Sequence, residues 1–401
     1  MEKALGITAE YNPFHNGHAR LLAEAKKLVG DLPVIAVMSG SLMQRGEPAF
    51  ADKWLRAQMA LAGGVDLVLE LPTIFCCRSA EHFAAGAVQS LAACGVTGYL
   101  ACGAETATAS DLFAAAAVLA RASAQAALQE HIKSGSSYAA ASARVLQTEG
   151  CALTCEQPND ILALEYAKAL RKYQLPQQLI VIKRNGDAYN ANAITTKATS
   201  AGALRRSYHE CGLSTQFAAA VPQPVFAFLQ KANTAQRLGY DRQLLTNLIL
   251  YKLQSMSAEQ IFTACQCTEG LENRLKQAAA ATDLRNIIGS AVNKRYPASR
   301  VRRLLMQLLL NQNKQSFTAT EPTYLRVLGF TDRGRALLGN MRERAALPLI
   351  TKLGRLKPTA NPLTTQLSVD IAATNLLALL QHNAKGYNAD YLTAPIYQKG
   401  T

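Results

Sequence analysis

In the stretch "EYNPFHNGHARLL" (10–22), His15 and His18 stand three residues apart across Gly17, after a turn and before an apolar run with helical spacing. Residues three apart on a helical turn share a face, so the two imidazoles can address one group together. The mouth of a helix carries unpaired backbone N–H groups and partial positive charge, which makes it a natural phosphate site. Gly17 lets a ligand come close to the backbone. Two imidazoles there can donate hydrogen bonds to a polyphosphate and to the charge that builds on it during displacement. The competing readings are an ordinary turn with surface imidazoles and a metal-ligating pair, for which no third ligand is evident nearby. A second cluster, "TSAGALRR" (199–206), offers Ser200 to cap a helix and Arg205 to neutralise phosphate.

These residues need elements to position them. Residues 4–9 read as a short apolar strand that feeds the histidine turn; a helix follows with Leu21, Leu22, Ala25, Leu28 and Val29 on one stripe. "PVIAVMSG" (33–40), "GVDLVLELP" (64–72), "VTGYLACGAE" (96–105) and "QLIVIKRNG" (178–186) read as four more strands, with helical stretches between them. Continuous apolar strands alternating with helices predict a parallel sheet covered on both faces. Four of the five run into polar or glycine-containing segments: "EYNPFHNGH", "SGSLMQRGE", "CGAE" and "KRNG". In an open parallel sheet, ligands bind beyond the carboxyl ends of the strands, so these pieces should converge on one crevice. After about residue 212 the strand signals fade and helical patterns such as "SRVRRLLMQLLLNQ" dominate, with "VPQPVF" (221–226) breaking helix near the boundary. The expectation is an α/β chain, with a Rossmann-like parallel-sheet domain over 1–212 and a mainly α-helical basic domain over 213–401.

With 401 residues, 49% of them hydrophobic and 17% charged, the chain reads as a soluble globular protein with a sizeable core. No uninterrupted run of 18 apolar residues argues for a membrane span, and "MEKALGITAEY" lacks a signal peptide's apolar core, so a cytoplasmic location is the default. Nine cysteines without a paired CxxC framework point to buried reduced thiols rather than structural zinc. The net charge of +14 is uneven: residues 294–357 hold fourteen Lys/Arg against Glu321, Asp332 and Glu343. Such an excess attracts polyanions, above all nucleic acid, unless it is a solvated basic face. Gln44, Arg45 and Glu47 could contact substrate from the loop after the second strand, whereas Lys53 and Arg56 read as surface charges on the next helix. Glu105 is a candidate for ribose or metal contact. Glu81 and His82, being adjacent, point to different helix faces and make a poor acid/base pair.

HxGH after a first strand, joined by a later Ser-containing turn with a basic residue, resembles the adenylyl-transferring superfamily of nucleotidyltransferases and class I aminoacyl-tRNA synthetases. The longer series is more specific. "EYNPFHNGH", "VIAVMSGSLMQRGEPA", "KWLRAQMALAGGVDLVLELP", "CGAE", "PNDILALEY", "IKRNGDAYN" and the 199–206 turn occur in this order. In that series the sequence resembles the bacterial tRNA(Met) cytidine acetate ligase family over most of its length, most strongly over 1–206. The resemblance implies a nucleotidyltransferase-like fold. It also implies that ATP, with Mg²⁺ on its phosphates, activates acetate as acetyl-adenylate. The acetyl group then passes to N4 of the wobble cytidine of elongator tRNA(Met). It makes His15 and His18 catalytic, and implies an ATP-binding stretch formed by Ile7, Thr8, Ala9, Glu10, Tyr11, Asn12, Pro13, Phe14, His15, Asn16, Gly17, His18, Ala19 and Arg20. Gly103, Asn159, Lys183 and Arg184 join that site, and no resident metal is expected. Two positions depart from the family pattern: Gly202 stands where a hydroxyl residue is expected, and Asp160 where a second Asn is expected. Each puts one polar contact in question. The basic second half would hold an RNA stem and loop, with Arg300, Arg302 and Arg303 on the phosphate backbone. Tyr296, Phe317 or Tyr324 could stack on loop bases, although core positions suit each of them better. Two other functions fit less of this pattern: adenylation of a phosphorylated small molecule, and RNA binding by a protein with a relic nucleotide pocket.

Overall fold

In the computed structural model, residues 3–153, 155, 157–184, 199–267, 270–355, 361–382 and 386–399 are described. The five expected strands form: β1 (Ala4–Ala9), β2 (Val34–Ser39), β3 (Leu67–Leu71), β4 (Thr97–Ala104) and β5 (Gln178–Lys183). All are parallel, in the order β5-β4-β1-β2-β3. Their near-continuous apolar runs are what burial on both faces demands. Alternate residues serve opposite faces. Ile35 and Val37 of β2 pack on one side, and Val34, Ala36 and Met38 on the other. The helices α1 (Asn16–Val29) and α2 (Lys53–Ala62) cover the second face, while Ala80–Ala93, Ala109–Leu119 and Pro158–Lys172 cover the first.

The sheet does not stop where the strand signals fade. Leu325–Phe330 forms β6, antiparallel to β3, and two short strands, β7 (Leu349–Ile350) and β8 (Ile396–Tyr397), pair with opposite ends of β6. The core on the first face also runs without a break into the later helices, through Leu245, Ile249, Ile287, Val301 and Leu304. Helices dominate after residue 212, as expected, but they share the sheet and its core. Strand β6 was illegible because "LRVLGF" carries an arginine as its second residue. Arg326 tolerates burial only because Glu70 and Asp390 lie beside it, one across the sheet and the other sixty-four residues later in the chain.

The chain's longest apolar helix among the described residues, Pro362–Leu380, has the length and hydropathy of a membrane span. Half of its apolar window is buried in the molecule, and Asp370 sits within it. All nine cysteines are unpaired, and seven are buried.

Candidate active site

Strand order reverses direction at β1, which has β2 on one side and β4 on the other. Such a switch point leaves a crevice beyond the carboxyl ends. An open cavity of about 700 Å³ lies there. Ile7 to Asn12, His15 and His18 line it from β1 and the turn; Gly103, Asn159, Tyr166 and Arg184 line it from β4, β5 and the helix between them. Ser200, Gly202, Arg205 and Arg206 close it from the helix Ala201–Cys211, and Met43, Gln44, Arg45 and Glu47 from the loop after β2.

The two histidines form a reciprocal cap on α1. His15 is its N-cap, and its Nδ1 accepts from the Gly17 amide at 3.0 Å; Nδ1 of His18 accepts from the His15 amide at 3.2 Å. The rings stack at 3.9 Å, with Tyr11 and Phe14 packed around His18. An imidazole that accepts through Nδ1 carries its proton on Nε2, so each ring keeps one N–H donor. Both are held neutral. Burial, helped by the Arg184 guanidinium, pushes His15 down to about 3, and burial with His15 and Arg184 pushes His18 well below its usual value. The expected cradle of free backbone amides is absent. Asn16 N–H donates to the Ala220 carbonyl, Gly17 N–H to His15 Nδ1, and His18 N–H to the His15 carbonyl. The helix mouth therefore presents its polarity through imidazole Nε2–H groups instead of through the backbone.

The remaining expected residues divide. Pro13 and Phe14 lie buried beneath the turn, and Asn16, Gly17, Ala19 and Arg20 do not line the cavity. Alternation at the end of β5 splits the basic pair: Arg184 lines the cavity and Lys183 faces away from it. A Cβ at Gly103 would lie 3.3 Å from Cγ of Arg184, a tight contact that the exposed arginine side chain could relieve by a small shift. Asp160 replaces the expected Asn in a structural role. Its buried carboxylate accepts from the amides of Glu105, Thr106 and Ala107 and from the Thr106 hydroxyl. Glu105 is tied in return to Asn159 Nδ2 and the Asp160 amide, so ribose or metal contact is not its main engagement. Ser200 caps its helix as expected, accepting from Ala203 N–H at 3.1 Å. At Gly202 a Cβ would meet nothing closer than 3.7 Å, so the missing hydroxyl leaves the backbone path intact. Arg205 donates to the Asn12 carbonyl at 2.8 Å and pairs with Glu47 at 3.2 Å.

One expectation fails. Lys53 and Arg56 are not surface charges; both are fully buried. Arg56 donates to the carbonyls of Ala51, Glu10, Ser39 and Gly40, gathering the carboxyl ends of β1 and β2. Nothing local in α2, "KWLRAQMALA", marked this, because Lys53 and Arg56 stand three apart and read as the polar face of an amphipathic helix. Tyr296, Phe317 and Tyr324 are core residues, not stacking platforms. The three arginines sit on the helix Ala298–Leu309, which packs beside the loop after β2. Arg302 lines the cavity and faces Glu47 at 3.7 Å, Arg303 donates to the Gln44 carbonyl, and Arg300 lies over the Tyr296 ring at 5.1 Å. Gly46, at φ +75°, lets the loop press on that helix, where any Cβ would lie 2.3 Å from the Arg303 amide nitrogen.

Residues 2–390 match the model of a family described as HIGH Nucleotidyl Transferase. A tRNA(Met) cytidine acetate ligase of Alkaliphilus metalliredigens is 35% identical over 421 residues, covering 99% of both chains. One from a Thermoanaerobacter species is 34% identical over 397 residues, 97% of this chain and 98% of its own. Among solved structures, apo Thermotoga maritima TmcAL superposes with a TM-score of 0.92 at 31% identity, over 99% of this chain and 100% of that one. The same protein bound with alpha-thio ATP gives a TM-score of 0.91 at 31% identity and the same coverage.

Proposed function

The chain belongs to the HIGH nucleotidyl transferase family, and from that premise we propose that it is a tRNA(Met) cytidine acetate ligase, coupling ATP and acetate to acetylation of tRNA. In the first step an acetate oxygen attacks the α-phosphorus of ATP and pyrophosphate departs, leaving acetyl-adenylate. In the second, the N4 amine of the wobble cytidine of elongator tRNA(Met) takes the acetyl group and AMP departs. The observation that carries this reading is the neutral histidine pair. Each ring has its Nδ1 spent on a backbone amide, which leaves Nε2–H as a fixed donor in a residue that lines the crevice of about 700 Å³. Preorganised donors of this kind stabilise charge as it develops, without reorganising. Arg184, Arg205 and Arg206 add positive charge around the same cavity.

No group of three or more His, Cys, Asp or Glu able to hold a metal occurs among the described residues. In this reading Mg²⁺ would arrive on the triphosphate of ATP and offset its charge there. The RNA would approach over the cavity rim, where Arg45, Arg302 and Arg205 border the cavity, with the basic residues of 294–352 that reach the surface, which excludes Arg326, as phosphate contacts beyond it. Lys357 lies outside the described residues.

Pyrophosphate exchange tests the reading. Acetate-dependent exchange between ATP and pyrophosphate, without RNA, is the expected result. Exchange that depends instead on a phosphorylated metabolite would make the chain a small-molecule adenylyltransferase. Absence of exchange under every condition would leave an RNA-binding protein.

A further inference from the structure

Transfer of an acetyl group to a cytosine amine needs a proton acceptor, because that amine's lone pair is delocalised into the ring and the nitrogen turns acidic as the bond forms. His15 and His18 are poorly suited, their Nδ1 atoms being committed to backbone amides. Among the described residues lining the cavity, only Glu10 and Glu47 are acidic. Glu47 is held between Arg205, at 3.2 Å, and Arg302, at 3.7 Å.

Glu10 is placed differently. It follows β1 directly, at the carboxyl edge of the sheet. Its carbonyl accepts from Arg56 Nη1 at 2.7 Å, and its Oε1 accepts from the Gln44 amide at 2.7 Å. Backbone and one carboxylate oxygen are thus pinned. The other oxygen, Oε2, has no hydrogen-bond or ion-pair partner among the described residues, and the side chain lines the cavity. We propose that Glu10 is the general base of acetyl transfer, acting through Oε2; the assignment rests on the ligase reading above.

In the step, N4 attacks the acetyl carbonyl carbon, a C–N bond forms, and the C–O bond to the adenylate phosphate breaks. AMP leaves with the electron pair of that bond, and the proton lost from N4 passes to Oε2. The groups around the carboxylate are Arg205 and Arg45, which favour its charge, Glu47, which opposes it, and Arg56 and Tyr166 nearby. Burial outweighs them and raises its pKa above the usual carboxylate value, which makes it a better proton acceptor.

The test is Glu10→Gln, which keeps an oxygen for the Gln44 amide but cannot take a proton. Enzyme supplied with ATP and acetate is offered two acceptors in single-turnover reactions, hydroxylamine and tRNA. Hydroxylamine is a strong nucleophile that needs no enzymic base. The expected result is a fall of about 100-fold or more in the ratio of tRNA acetylation to hydroxamate formation. The acid limb of the wild-type pH profile for transfer should vanish in the variant. A ratio within about fivefold of wild type would overturn the assignment, as would equal losses with both acceptors, which would put Glu10 in acetate activation. Wild-type enzyme that forms no hydroxamate from ATP and acetate overturns the ligase reading itself, and this assignment with it.

Discussion

His15 caps α1 and, in the proposed reaction, would meet phosphate with the same ring; the two tasks can be separated. As N-cap it accepts the Gly17 amide, a role in which asparagine is as good as any residue. As a phosphate ligand it needs the Nε2–H that asparagine lacks. His15→Asn should therefore stay within about 1 kcal/mol of wild-type stability. Formation of AMP from ATP and acetate should drop about 10²- to 10³-fold in single turnover. A near-normal rate would remove the imidazole from the chemistry. Its burial also has a pH consequence. The unfolded chain protonates His15 near 6.5, the folded chain only near 3, so the folded state loses stability as pH falls through that window. Asp370 acts in the opposite sense. Burial beside Glu70 pushes it up to about 7, so its favourable contribution is present at low pH and is lost as pH rises towards and through 7. Denaturant midpoints measured across pH should show His15→Asn flattening the decline below 6.5, and Asp370→Asn flattening the loss between 3.8 and about 7.

At the scale of elements, the site is held by contacts between strand ends, not within any one of them. Arg56 reaches from α2 to four carbonyls on β2, the turn after β1 and the loop before α2 itself. A buried guanidinium satisfied in this way leaves several acceptors orphaned when it is removed, each worth about 1–3 kcal/mol. Arg56→Met should cost at least about 3 kcal/mol in urea unfolding. It should also weaken ATP use, because the Glu10 carbonyl and the Ser39–Gly40 turn lose their common anchor. Loss of stability with an unchanged KM for ATP would show that the turn keeps its shape without the arginine. The same logic governs Asp160, which holds the 105–107 turn at the end of β4.

Across the whole molecule, the later half is bound to the sheet through a buried ionic cluster. Lys53 meets Glu70 and Asp390 at 2.7 Å each, and Arg326 meets Asp390 at 2.7 Å and Glu70 at 3.5 Å. These four charges join α2, β3, β6 and the C-terminal helix Ala389–Leu392. RNA held on the basic part should be strongly salt-dependent, since each neutralised phosphate releases counterions. Acetate-dependent exchange should respond far less over the same range. Arg300→Glu should reduce the salt slope of tRNA affinity by about one or more. Arg302→Glu should impair both activities, because Arg302 faces Glu47 at the cavity rim. Equal behaviour of the two variants in exchange and RNA affinity would overturn this division of the arginines.

The local part of this design was legible in the sequence. Runs of apolar residues marked β1 to β5 because strands buried on both faces need them, and the polar segments after those strands marked the crevice because chain direction alone puts them on one edge. His15, His18, Ser200 and Arg205 were identifiable because capping and phosphate contact depend on spacing within a few residues. What lay beyond such spacing needed the tertiary structure. The pairing of β6 with β3, the burial of Lys53 and Arg56, and the parting of Lys183 from Arg184 depend on partners tens to hundreds of residues away or on which face a strand end presents. A buried charge reads like a surface charge until its counter-ion is seen, and the counter-ions of Lys53 stand at Glu70 and Asp390. Aromatic residues such as Tyr324 could be told from stacking platforms only by what covers them, and that was decided when the later helices packed onto the sheet.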